Sequence, residues 1–64
     1  MKLYGLDFEV WFQYGELSRT KVAAFWLYND ARTYIERKES KELFSLVDKL
    51  MDRVETVKDW EKED

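Results

Sequence analysis

Across residues 4–14 the side chains alternate without a break. Tyr4, Leu6, Phe8, Val10, Phe12 and Tyr14 take one parity, and Gly5, Asp7, Glu9, Trp11 and Gln13 take the other. Successive side chains of a strand point to opposite faces, so a period of two predicts a half-buried β-strand. Residues 15–18 (Gly-Glu-Leu-Ser) interrupt the pattern, and residues 20–28 resume it with β-branched and aromatic side chains. The reading that follows is a β-hairpin over residues 3–28 with a four-residue loop. Its register sets Phe8 opposite Phe25, Leu6 opposite Leu27 and Val10 opposite Ala23 on an apolar face. The other face is expected to carry Trp11 beside Val22, Glu9 beside Ala24 and Asp7 beside Trp26, with Tyr28 near Gly5.

Two strands alone are at best marginally stable in water, so the apolar face needs a cover. Asn29 suits the N-cap of a short helix over 30–38, with Asp30 favoured by the helix dipole and Ala31, Tyr34 and Ile35 forming an inward face. Beyond a bend at the polar run 37–41, Leu43, Val47, Leu50, Val54 and Val57 recur at spacings of 4, 3, 4 and 3. That stripe predicts an amphipathic helix over 40–60 with a frayed tail at 61–64. The expected fold is α+β, a single small domain of order β-β-α-α, in which one short and one long helix pack on a two-stranded antiparallel hairpin.

A chain of 64 residues has few means of reinforcing a small core, and the absence of Cys and His removes disulfides and most structural metal sites. Self-association is the supplement that remains, and a homodimer is expected. The same absences argue against an enzyme, since the commonest general base and the activated thiol are missing, and no phosphate-binding glycine loop or nucleophile elbow occurs. A domain of this size is also expected to lack room for a ligand pocket. No cofactor or metal is expected. The longest unbroken apolar run, residues 22–28, is far too short to cross a bilayer, and a cytosolic location fits a small domain without disulfides.

What remains is a protein that works by occupying a partner's surface, as an accessory or inhibitor. Trp11, Trp26 and Tyr28 are the expected contact residues, because Trp and Tyr are enriched among interface hot spots, with Asp7 and Glu9 as a polar rim. The plainer readings are that the protein's own second helix covers this face, or that the register slips by one residue. A second candidate surface is the carboxylate stripe Asp48, Asp52, Glu55 and Asp59, in a segment, 48–64, where seven acids face four bases and which carries the whole net charge of −3. Regularly spaced carboxylates imitate a nucleic-acid backbone, although a solvated helix face accounts for them as well. Direct nucleic-acid binding through Arg19, Lys21, Arg32, Arg37 and Lys38 is the alternative, and the low isoelectric point, about 4.9, speaks against it.

Overall fold

The computed structural model describes residues 6–62. It contains one four-stranded antiparallel sheet and two helices. The elements are β1 (Phe8–Gln13), β2 (Arg19–Phe25), α1 (Tyr28–Glu36), β3 (Phe44–Asp48), β4 (Arg53–Glu55) and α2 (Val57–Glu61), with a 3-10 turn at Lys41–Leu43. The expected order β-β-α-α is therefore wrong, and the order is β-β-α-β-β-α. Across the sheet the strands run β2-β1-β3-β4. Because β2 and β3 both pair antiparallel with β1, they run parallel to each other, and α1 is the crossover that joins them.

The alternation that predicts β1 is realised. Phe8 pairs with Phe25, Glu9 with Ala24 and Val10 with Ala23. Leu6 with Leu27 and Asp7 with Trp26 do not pair, because β1 starts at Phe8 and the chain bends at Trp26 and Leu27. The expected strand start before Leu6 and the neighbour Gly5 lie outside the described residues. After Val10 the register shifts, so that Trp11 faces Lys21 and Val22 is the extra residue of a bulge. The bulge reverses the parity of β2. It sends Arg19 and Lys21 to the same face as Glu9 and Trp11, where unbroken pairing would have placed Val22.

The helix expected at 30–38 forms two residues earlier. Leu27 is its N-cap and Asn29 lies inside it, so Asn29 does not cap. Ala31 and Ile35 are fully buried on its inner side. They meet Phe8, Val10, Phe44 and Leu46 from the sheet and Val57 and Trp60 from α2 in one cluster. Both helices thus cover the same face. Phe8 meets Tyr28 edge-on with centroids 5.8 Å apart, and Phe12 tilts against Phe44 at 4.9 Å.

The expected helix over 40–60 is overturned most completely. Phe44, Leu46 and Asp48 alternate inward in β3, and Val47 and Val54, seven apart in sequence, are direct cross-strand neighbours on the opposite face. Between them the Asp48 carboxylate accepts the backbone N–H groups of Leu50 and Met51 at 3.0 and 3.1 Å, which closes a tight turn without glycine. Asp52 completes that turn at φ 54°, a left-handed conformation that Asp tolerates better than most residues. Only the last turn and a half of the expected helix survives, as α2. It starts at Thr56, whose N–H is accepted by the Asp59 carboxylate at 2.8 Å. Of the tail, Glu61 ends α2 and Lys62 caps it, and residues 63–64 lie outside the described part.

Candidate functional site

With both helices on one face, the other face of the sheet carries no helix among the described residues. Its centre is Glu9, on the central strand β1. Glu9 as a whole residue is 8% exposed although no described helix lies over it. Trp11 donates its indole N–H to Glu9 Oε1 at 3.1 Å, and the ammonium groups of Lys21 and Lys49 approach Oε2 at 3.2 and 3.6 Å. Lys21 arrives from β2 because of the bulge. Lys49 arrives from the β3–β4 turn, held there by its backbone N–H donating to the carbonyl of Asp7 at 2.9 Å. Burial pushes the Glu9 carboxyl upward, but the hydrogen bonds from Trp11 and Lys21 and the charges of Lys21 and Lys49 outweigh it. The net position is below the ordinary 4.5.

Around this centre lie Ala24, Ser45 and Val47, all half-buried, and Val54, which is 57% exposed. The Arg19 guanidinium lies 5.9 Å from the centroid of the Trp11 ring. Among the described residues the face therefore has two lysines on the Glu9 carboxylate and Arg19 over the neighbouring Trp11, three cations to one carboxylate. Counting Asp7 at its margin still leaves a positive face on a chain whose net charge is −3.

The expected contact residues are divided by the fold. Trp11 and Glu9 belong to the helix-free face, and Asp7 lies half-buried just before β1. Trp26 stands 63% exposed in the bend after β2, beside the equally exposed Leu27. Tyr28 belongs to the helix side. Its hydroxyl donates to Glu55 Oε1 at 2.6 Å, and the Trp60 indole N–H donates to the same oxygen at 2.8 Å. Arg53 meets the other oxygen at 3.0 Å. Burial raises the Tyr28 phenol above its ordinary 10.0, as does the negative Glu55 it donates to, with Arg32 opposing in part. These groups line an open cleft of about 440 Å³ together with Val54 and Asp59.

A second cleft, of about 550 Å³, is bounded by Phe12, Gln13, Tyr14 and Leu43 at the far end of the sheet. Both are open depressions of the surface, not enclosed pockets. In the Tyr28 cleft the carboxylate already holds three donors, and its evident work is to tie α1, β4 and α2 together. No cluster of three metal-binding side chains occurs among the described residues.

The acidic stripe does not exist as a stripe. Asp48 is buried at the end of β3, Asp52 sits in the turn, Glu55 faces the helices and Asp59 caps α2. Regular spacing on a helix is lost once the helix becomes strand, turn and strand. The basic set is likewise split. Arg19 and Lys21 are on the helix-free face, whereas Arg32 stacks over Trp60 at 4.7 Å, Lys38 over Tyr34 at 4.5 Å, and Arg37 closes α1.

Sequence reasoning missed Lys49, Val47 and Val54 on the helix-free face and Glu55 as the hub of the helix side. The one signal for the first three was Asp48, a good turn initiator between two short β-rich runs. No known protein family, curated protein or solved structure matches the chain. No helix among the described residues is long and apolar enough to cross a membrane.

Proposed function

We propose that this chain is a small non-catalytic binding protein whose contact surface is the helix-free face of the sheet, and that it acts by occupying the surface of another protein. The observation that supports this is the packing of both helices on one side. It leaves Trp11, Val47 and Val54, with Lys21 and Lys49 among them, as a broad mixed surface on the other. An aromatic anchor, an aliphatic floor and charged groups at their margin are the parts of a protein interface.

A second copy of the chain fits this surface poorly. A two-fold contact would bring the same cations against each other, and like charges across an interface are costly. Edge-to-edge pairing of sheets is also hindered, since the outer strand β2 is interrupted by the Val22 bulge and β4 has three residues. The reading is therefore of a heterologous partner, and the homodimer expected from the small core is not retained.

A photo-crosslinking amino acid placed at Ser45, on the helix-free face, and in a separate variant at Thr33, exposed on α1, tests the proposal in the cells the protein comes from. A discrete protein adduct from position 45 and none from position 33 is the expected result. Adducts from 33 alone, or from neither position, would overturn it.

A further inference from the structure

The chemistry of the partner follows from how the helix-free face balances its charge, and this inference rests on the proposed use of that face. Lys21 and Lys49 come from opposite directions, one from β2 and one from the β3–β4 turn, and converge on a single oxygen of Glu9. Each ammonium carries three donors, more than one shared carboxylate oxygen takes. Their side chains are 26% and 44% exposed, so both remain reachable from outside while Glu9, at 11%, does not. Arg19 adds a third cation over Trp11. The cations described on this face thus share it with an apolar pair, Val47 of β3 and Val54 of β4, in a chain that is acidic as a whole.

We infer that the partner offers a carboxylate-rich, partly apolar stretch of polypeptide, whose acids are taken by Lys21 and Lys49 and whose apolar side chains meet Val47 and Val54. Glu9 is the internal stand-in for such an acid. It holds the two lysines in place before the partner arrives and competes with the partner for them.

Nucleic acid is the other polyanion that the charges admit, and two observations disfavour it. A base stacking on Trp11 has to displace the Arg19 guanidinium lying over the ring. The net charge of −3 also repels an extended phosphate chain more than a short peptide.

The test uses the full chain labelled with 15N, in which the indole N–H signals of Trp11 and Trp60 report the two faces separately. Three probes are titrated: an acetylated, amidated peptide of four Glu-Leu repeats, the corresponding Lys-Leu peptide, and an eight-nucleotide oligothymidylate. The acidic peptide is expected to move the Trp11 indole and the Lys21 and Lys49 amides, leaving the Trp60 indole in place. Its affinity should weaken about tenfold between low and 200 mM salt, as charge pairing at a surface does.

Glu9→Gln should tighten binding severalfold by removing the internal competitor. The double variant Lys21→Glu, Lys49→Glu should lose it, with an unchanged Trp60 indole showing that the helix side is intact. No response to the acidic peptide, an equal response to either other probe, or weaker binding by Glu9→Gln overturns the inference. Crosslinks from position 45 without any response to the acidic peptide would sink this inference alone, whereas loss of the crosslinks sinks the proposed function with it.

Discussion

On each face of the sheet one glutamate is tied to side chains from several elements, Glu55 on one and Glu9 on the other, and the two are held by different kinds of donor. Glu55, on the helix side, is met by the Tyr28 hydroxyl and the Trp60 indole, rigid groups fixed by α1 and α2, with Arg53 at its second oxygen. Glu9, on the open side, is met by the Trp11 indole and by two lysines at the ends of flexible chains. A donor on a packed aromatic ring cannot follow another protein acceptor when its own is lost, and is left to water in the cleft. A lysine ammonium turns to water or to another acid at little cost. The covered face therefore spends its carboxylate on stability, and the open face keeps its own exchangeable.

The sharpest way to break this contrast is through neighbouring residues of β3. Leu46 is fully buried under the helices, so Leu46→Ala should cost about 2–5 kcal/mol and leave the protein largely unfolded or with a much lower urea midpoint. Val47→Ala, one residue on but facing outward, should cost less than about 1 kcal/mol by the same measurement. Next in size is Glu55→Ala. It leaves the Tyr28 and Trp60 donors to water and removes the tie between α1, β4 and α2, and should cost about 1–2 kcal/mol, read as a fall in Tm of roughly 4–16 °C.

Tyr28 sharpens the comparison at alkaline pH. Its folded pKa lies above the unfolded 10.0, so the stabilisation is complete below pH 10 and is lost as pH rises through the folded value. Thermal melts from pH 8 upward should show that loss in the wild type and not in Tyr28→Phe. Smallest is Glu9→Gln, at about 1 kcal/mol or less. The folded pKa of Glu9 lies below 4.5, so its contribution is present above that value and fades as pH falls through the folded pKa. The gap between wild type and Glu9→Gln should accordingly be open at pH 6 and closed in strong acid, and a gap constant with pH would show that the lysines do not hold the carboxylate.

How much of this was legible differs sharply along the chain. Residues 8–13 announce their strand because one parity is apolar over the whole run, and no helical period accommodates that. Ala31 and Ile35 announce the inner side of α1 in the same way. Residues 43–57 mislead for a definite reason: a four-residue turn between two strands returns Val54 opposite Val47, and a separation of seven is also two turns of helix. With no Gly or Pro to mark the turn, the work falls to Asp48 and to the left-handed Asp52, which both read equally well as a helix surface. The candidate site was half legible. Trp11 and Glu9 follow from the alternation of β1, but Lys21 reaches them only through a bulge and Lys49 only through a strand pairing that spans most of the chain.

The position of β1 has a consequence for synthesis. It is the first of the four strands in chain order and one of the two inner strands of the finished sheet. On a ribosome β2 follows at once and satisfies one edge, while the other edge waits for β3. That delay lasts until the segment through Asp48 has left the ribosome. During it the nascent hairpin presents Phe8, Val10 and Phe12 beside an unpaired backbone, which is the form in which a chaperone, or another nascent copy, would meet it.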